Sequence, residues 1–219
     1  MTLSRKAGDK RQIAGSLLTS GWFNRIQRKY EHAELLYQEC VELSREIGSR
    51  SPAALSLLGL GMIARVKGDP VIAEGYALEC VELSEELGDR GNVALGLMEL
   101  GRVALIQGRL VEAETYFKDG LRTYGYIGEM RRVAELLEGA AEAARELNQQ
   151  KRCVKHLASA AALRKKSGSP LKAIDRPEFE QSLADAKVGL GDDEFSRAWA
   201  EGEQMSMKDA VDFALSDEN

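Results

Sequence analysis

Histidine, proline and cysteine are scarce in this chain of 219 residues, which contains two, four and three of them. Neither His32 nor His156 has a carboxylate and a nucleophile near it in the sequence in the arrangement that a catalytic triad demands. We expect both to be partly exposed helix residues. The cysteines form no Cys-x-x-Cys pair and no Cys/His ligand spacing. We therefore expect a non-enzymatic chain without cofactor or metal, whose cysteines fill small buried positions.

Long apolar runs and an excess of positive charge are also missing. No run approaches the roughly twenty apolar residues of a membrane-spanning helix, and residues 1–10 lack the apolar stretch of a secretory signal. These absences predict a cytoplasmic chain that does not bind a membrane. A net charge of −5 argues against a nucleic-acid-binding surface. The one basic cluster, residues 164–166, ends a predicted helix and is expected to complement the helix dipole.

Glycine recurs every forty residues, at Gly8, Gly48, Gly88, Gly128 and Gly168. Small residues keep the same period, at Ala33, Ala73, Ala113 and Cys153 and at Gly21, Gly61, Gly101 and Ala141. Such residues let two antiparallel helices approach closely, and no alternating β-branched run predicts a strand. The order of small and large positions resembles the tetratricopeptide repeat, although that repeat has about thirty-four residues. The resemblance implies an all-α fold, a right-handed α-α superhelix of four to five helical hairpins with a C-terminal capping helix.

Glycine and proline predict where the helices end and begin. Gly48, Gly68, Gly88 and Gly108 each follow an amphipathic run and suit the positive φ of a helix C-terminus. The pairs Ser51-Pro52 and Asp69-Pro70 place an N-cap oxygen before a proline of the first turn. The predicted hairpins cover residues 10–48, 50–88, 90–128 and 130–168, and residues 1–8 are predicted to be the tail of a partial repeat.

The tetratricopeptide resemblance implies that the first helix of each repeat lines a concave face. The candidate binding residues on it are Leu18, Trp22, Arg25, Leu58, Met62, Arg65, Met98, Arg102, Glu138 and Glu142. A groove of Leu, Met and Trp, edged by Arg and closed by Glu, suits an amphipathic helix or an extended peptide. Residues 54–66 are apolar nearly all round, however, so a closed inner core is the alternative.

The C-terminal part predicts a cap. Residues 170–219 are expected to form a degenerate fifth hairpin, with helices over 178–190 and 192–203, and a final capping helix. The aromatic and aliphatic residues expected to cover the fourth repeat are Phe179, Leu183, Phe195 and Trp199. Ser206 is expected to cap the last helix, with Asp209 at the capping-box position. Helical arrays need such a closure to stay soluble.

The stretch Trp199-Ala-Glu-Gly202, within residues 195–215, resembles the end of repeat regions in multidomain ATP-binding transcriptional regulators of the LuxR and MalT type. Residues 157–168 fit the same pattern. The resemblance implies a bacterial sensor or protein-interaction region that binds a protein segment or a small inducer on its concave face. Its partners would include effector domains of the same regulator. A structural spacer or oligomerisation element of a signalling ATPase is the alternative.

The N-terminal end predicts a further surface. No Walker motif and no helix-turn-helix pattern is present, so we expect a fragment of a larger regulator or a gene that has lost its effector modules. Leu17, Leu18, Trp22 and Phe23 are expected to be exposed on the first helix. Exposed apolar residues of this kind favour self-association, so a homo-oligomer through this end is expected.

Overall fold

The computed structural model describes residues 2–171 and 176–216, without the side chains of residues 2–8 and 178. Its helices are α1 (Thr2–Ile26), α2 (Tyr30–Glu46), α3 (Arg50–Val66), α4 (Pro70–Glu86), α5 (Arg90–Ile106), α6 (Leu110–Ile127), α7 (Met130–Glu146), α8 (Gln150–Ser167), α9 (Arg176–Leu190), α10 (Asp192–Gln204) and α11 (Met207–Leu215). No strand occurs within these ranges, and the predicted all-α fold class is confirmed. The parts of the predicted cap at residues 172–175 and 217–219 lie outside the described residues.

The chain forms two compact units, residues 1–103 and 104–219, with the boundary inside α5. In the first unit α1 packs on α2, α2 on α3 and α3 on α4, and α1 also contacts α3. In the second unit α6 packs on α7, α7 on α8, and α8 on both α9 and α10. Within each unit the helices therefore form hairpins with short connections that stack one on the next.

At every twentieth position, a residue in the left-handed backbone conformation ends a helix. The glycines that adopt it are Gly48, Gly68, Gly88, Gly108, Gly128 and Gly168, with φ between 64 and 87°. Arg28 and Asn148 complete the series, each with φ of 60°. The four helix ends predicted from glycine are confirmed, whereas the ends at Arg28 and Asn148 carry no glycine to mark them. The Cβ of a non-glycine residue costs about 1–2 kcal/mol in this conformation.

Some predicted boundaries were wrong. Helix α1 is continuous from Thr2 to Ile26, so Gly8 lies inside a helix and residues 2–8 lengthen α1 rather than ending an earlier helix. A helix tolerates one glycine at a cost of about 1 kcal/mol relative to alanine, and good helix formers follow this one. Helix α3 begins at Arg50 after Ser49, ahead of the expected Ser51. Helix α4 begins at Pro70 after Asp69, as predicted, but the Asp69 side chain accepts no capping hydrogen bond.

Large and small residues alternate where one hairpin meets the next. Tyr37 of α2 packs on Gly59 of α3, where an added Cβ would lie 2.5 Å from the tyrosine ring. Phe117 of α6 packs in the same way on Gly139 of α7, with a corresponding distance of 2.4 Å. The space for each ring exists only because the facing residue has no side chain.

Close contact within a hairpin follows the predicted small residues. A Cβ added at Gly61 of α3 would lie 3.2 Å from the backbone oxygen of Ala73 in α4. Ala73 is fully buried, as are its equivalents Ala33, Ala113 and Cys153. The predicted approach of the two helices at Gly61 and Ala73 is confirmed.

Aromatic residues close the second unit. Phe179, Leu183 and Trp199 pack against a buried cluster of α7 and α8 that includes Ala144 and Leu157. Phe195 stacks on Trp199, with ring centroids 6.3 Å apart. These contacts agree with the expectation from the sequence.

The last helix, α11, has a capping box at its start. The backbone N–H of Asp209 donates to Ser206 Oγ at 3.2 Å, and the N–H of Ser206 donates to the Asp209 carboxylate at 3.2 Å. The predicted N-cap at Ser206 is therefore present, and α11 packs on α6, α7 and α8 of the same unit.

The left-handed helix ends lead to a stability prediction. We expect Arg28→Gly to raise the free energy of unfolding by about 0.5–1 kcal/mol, because it removes a strained Cβ at φ 60°. Asn148→Gly should gain less, since asparagine tolerates this conformation. Gly68→Ala, the matched control at φ 87°, should cost about 1 kcal/mol. Urea unfolding followed by circular dichroism measures all three, and a loss of stability in Arg28→Gly would contradict the account.

Candidate functional site

The predicted binding residues fall into series that repeat every forty positions. Trp22, Met62 and Arg102 hold the same place on α1, α3 and α5 of the first unit. Trp22 is 52% exposed, and Met62 and Arg102 are half-buried. We call these residues, together with Arg65, the Trp22 face.

The neighbouring series is mostly buried. Leu58 and Met98 are 5% and 1% exposed, while Leu18 is half-buried. The sequence assigned Leu58 and Met98 to the surface of a groove, but the structure places them in the core. Leu58 belongs to a cluster with Tyr37 and Ile63, because α3 is apolar on nearly every side and buries most of its circumference.

Glu99 is the residue of this region that sequence analysis missed. Its side chain is fully buried, and its Oε1 accepts a hydrogen bond from Arg65 Nε at 2.6 Å. Arg102 Nη1 lies 4.0 Å from Oε2, and that oxygen has no hydrogen-bond partner among the described groups. The side chains of Arg65 and Arg102 are 24% and 32% exposed. One buried carboxylate thus lies between two partly exposed guanidinium groups.

The repeat contained a signal for Glu99. It stands at the position of Gly59 and Gly139, the small residues that face Tyr37 and Phe117. The position of those two rings is occupied in α4 by Ala77, which is fully buried. The large and small members of the pair have therefore exchanged places between α4 and α5, and the large member carries a charge.

Arg25 contacts the aromatic residue of the next helix. Burial raises the pKa of Tyr37, and the nearby Arg25 guanidinium opposes that rise. The phenol therefore stays protonated at neutral pH. Arg25 is half-buried, so it forms part of the packing around Tyr37 rather than a free cationic group.

The acidic residues predicted in the second unit are engaged within the chain. Glu138 accepts two hydrogen bonds from Arg164, one of them from Nη2 at 2.7 Å. Arg164 is 6% exposed, and with Lys165 and Lys166 it lies in the last turn of α8, as the sequence predicted. Glu142 is half-buried and also has a polar contact. The negative charge expected to close the groove is largely neutralised.

The cysteines lie in the core rather than on the Trp22 face. Cys40, Cys80 and Cys153 are free and buried, as predicted. Burial raises the pKa of Cys80 to about 11 and that of Cys153 to about 12, so both remain thiols. In residues 2–171 and 176–216 no group of three His, Cys, Asp or Glu residues is placed to hold a metal ion, and no helix there is long and apolar enough to cross a membrane.

His156 differs from its prediction. It is 1% exposed rather than partly exposed, and its ring centroid lies 5.3 Å from that of Phe213 in α11. Burial, with the neighbouring charges of Arg152 and Lys118, lowers the pKa of His156 to about 3. Arg152 beside it donates to the backbone oxygens of Ala214 and Ser216 at 2.7 and 2.9 Å. His156 is therefore a neutral core residue beneath α11.

Solved structures show a similar arrangement of helices. The crystal structure of BtubC (BKLC) from P. vanneervenii has a TM-score of 0.65 and 16% identity, covering 97% of this chain and 87% of that chain. The fold is a tetratricopeptide-like helical repeat. The APC/C hetero-tetramer Cut9-Hcn1 has a TM-score of 0.38 and 13% identity, covering 92% of this chain and 45% of that one. No family model matches, and no curated protein is significantly similar in sequence.

The exchanged pair predicts strong coupling between Ala77 and Glu99. Ala77→Tyr alone should cost about 1–3 kcal/mol through overpacking. Glu99→Gly alone should cost about 2–4 kcal/mol, because it leaves a void and removes the carboxylate from Arg65. The double variant recreates the Tyr37 and Gly59 pair, so we expect it to be at least about 1 kcal/mol more stable than the sum predicts. Urea unfolding of the four proteins completes the cycle, and strict additivity would argue against direct packing of these positions.

The burial of His156 predicts a specific loss of stability in acid. The unfolded chain binds a proton below pH 6.5, while folded His156 resists protonation down to about pH 3. Stability should therefore fall by about 1.4 kcal/mol per pH unit as the pH decreases through this window. His156→Leu, which introduces the residue of the equivalent position Leu36, should lack this component. Urea unfolding of both proteins at pH 7, 6, 5 and 4 tests it, and parallel pH profiles would contradict it.

Proposed function

We propose that the chain is a non-enzymatic protein-interaction module that binds a segment of a partner protein on the Trp22 face. The exposure of Trp22 carries this proposal. A large aromatic side chain that is 52% exposed leaves much apolar area in water, and such residues are enriched among the anchors of protein interfaces. Met62 at the equivalent position of α3 extends the apolar surface with a side chain that adapts to different shapes.

Charge on the Trp22 face indicates the chemistry of the partner. In the described part of the chain, Arg102 donates no hydrogen bond and Arg65 donates only through Nε. Glu99 binds Arg65 through Nε and lies 4.0 Å from Arg102 Nη1, so most donors of both guanidinium groups remain unused by the described residues. A carboxylate accepts such donors in pairs. The segment that fits best is an amphipathic helix or an extended peptide with a large apolar residue for Trp22 and an acidic residue for Arg102.

A structural role is the second candidate. Three of the predicted binding residues are unavailable, because Leu58 and Met98 are buried and Glu138 is paired with Arg164. These contacts are typical of a closed surface, which favours a spacer or oligomerisation element of a signalling protein. In that role the loss of Trp22 would change stability or assembly and no ligand would be found.

A place in a bacterial transcriptional regulator, with a cytoplasmic location, is the narrower part of the proposal. It rests on the resemblance of Trp199-Ala-Glu-Gly202, in which Trp199 and Gly202 have structural roles in this chain. Trp199 belongs to the cap, and a Cβ on Gly202 would lie 2.5 Å from the backbone oxygen of Lys155. The ligand would then be an effector domain of the regulator or a small inducer. An adjoining coding sequence for a nucleotide-binding ATPase would support this context.

The Trp22 face is tested with two adjacent aromatic residues. We expect Trp22→Ala to weaken binding of a partner identified by affinity capture at least tenfold, about 1.4 kcal/mol, as the loss of an interface anchor does. Phe23→Ala is the matched control, since Phe23 is 55% exposed on another side of α1. Isothermal titration with the purified partner measures affinity, and circular dichroism verifies that helix content is unchanged. Equal losses in both variants, or none in Trp22→Ala, would count against this site.

A further inference from the structure

Helix α1 carries a second exposed apolar surface, away from the Trp22 face. It consists of Ile13, Leu17, Ser20 and Phe23, and we call it the Phe23 face. Ile13 and Phe23 are 49% and 55% exposed, and Leu17 is half-buried. A shallow depression of about 470 Å³ lies along this side of α1. The sequence predicted self-association through this end of the chain.

The equivalent surface is covered in both units. On α3 it consists of Ala53, Leu57, Leu60 and Ile63, which are between 1% and 3% exposed. Helix α2 covers it, with Tyr37 against Gly59 and Cys40 Sγ 3.9 Å from the backbone oxygen of Pro52. On α7 the surface of Val133, Leu137, Ala140 and Ala143 is at most 6% exposed, and α6 packs against that helix. In each case the cover is the second helix of a hairpin.

We propose that the Phe23 face binds an amphipathic helix of a partner protein that has the chemistry of such a second helix. The occupant packs aliphatic side chains on Ile13, Leu17 and Phe23, as α2 does on the equivalent residues of α3. The proposal goes beyond the Trp22 face, because it concerns a different side of α1 and a different partner segment.

Charge complementarity defines one residue of the occupant. Within the first unit, Arg45 of α2 forms an ion pair with Glu79 of α4. Glu39 of α2 holds the position equivalent to Glu79, is exposed, and has no ion pair with any residue whose side chain the structure describes. A helix that covers the Phe23 face as α2 covers α3 brings its counterpart of Arg45 to Glu39. The occupant therefore carries Arg near its C-terminal end.

Size complementarity defines a second residue of the occupant helix. Thr19 stands on α1 at the position of Gly59 and Gly139. Even a Cβ at those glycines would lie about 2.5 Å from the ring of Tyr37 or Phe117. A threonine side chain therefore excludes an aromatic residue from the facing position, and the occupant carries a small residue there, as α4 carries Ala77.

None of the second helices that the structure describes leaves this surface free in a second copy of the chain. Among the described residues, α2 is packed on α3, α6 on α7 and α8 on α9. Val81 of α4 already faces Gly96 of α5, where a Cβ would lie 2.5 Å from it. Each of these second helices thus has the required surface in use, which favours a helix from another protein over self-association.

The experiment uses a helical peptide as the probe. It has the sequence of residues 69–87, with Cys80→Ala to prevent oxidation and Glu85→Arg to supply the counterpart of Arg45. A hydrocarbon staple on its solvent side fixes the helix, so that weak binding does not reflect an unfolded peptide. Fluorescence anisotropy with the full 219-residue chain measures affinity. We expect saturable binding, at least fivefold weaker when position 85 remains Glu.

Matched variants test the size requirement and the apolar contacts separately. Introducing Ala77→Tyr into the peptide should weaken binding to the wild-type chain at least tenfold and should restore it with the Thr19→Gly chain. Ile13→Glu and Phe23→Ala in the chain should weaken binding at least fivefold. Trp22→Ala should leave it unchanged, which distinguishes this surface from the Trp22 face. If Thr19→Gly does not rescue the tyrosine peptide, the assigned register is wrong.

Two further outcomes would overturn the proposal. One is the absence of binding by the stapled peptide at millimolar concentration, and the other is equal binding to wild-type and Ile13→Glu chains. Sedimentation velocity of the chain alone supplies an independent measurement. A monomer over the micromolar range is expected, whereas a dimer that Phe23→Ala dissociates would show that a second copy occupies this surface.

Discussion

The packing of each hairpin on the next depends on one pair of positions whose side chains must complement each other in size. Tyr37 with Gly59 and Phe117 with Gly139 follow the same rule, because a ring fills the volume that a missing side chain leaves. Protein interiors are close-packed, so neither member of the pair can change alone. At the equivalent positions the small residue is Ala77 and the large residue is Glu99, so the roles are exchanged. The exchange introduces a charge into the core. The other two pairs contain no charged residue.

That buried charge links the core to the surface. Removing a carboxylate from water costs several kcal/mol unless hydrogen bonds and an opposite charge compensate it. Arg65 provides both at 2.6 Å, and Arg102 lies near the second oxygen. Arg65 is thereby held at the Trp22 face with Arg102 beside it, and most donors of both arginines are unused by the part of the chain that the structure describes. In the second unit the core pair is uncharged, and Arg164 neutralises Glu138.

The sequence predicted the features that depend on one residue and its phase in the repeat. Helix ends at Gly48 or Gly68 could be found because positive φ selects glycine, whereas Arg28 adopts the same conformation without that mark. The forty-residue period predicted on which side of its helix Trp22 or Met98 lies. It did not predict whether a neighbouring helix covers that side. Glu99 was missed because an acidic residue normally indicates a solvated surface, and only its equivalence to two glycines shows that it is buried.

The composition of the Phe23 face argues for a partner that binds and leaves. Leu60 of α3, permanently covered by α2, is replaced on α1 by Ser20, and Gly59 is replaced by Thr19. These polar side chains lower the cost of exposing the surface. Phe23 nevertheless occupies the position of Ile63 and is no smaller, although more than half of it is in water. A surface with apolar anchors between polar residues has the composition of non-obligate interfaces rather than of a core. The same repeat position therefore serves as core in α3 and as reversible interface in α1, with the difference made by two hydroxyl residues.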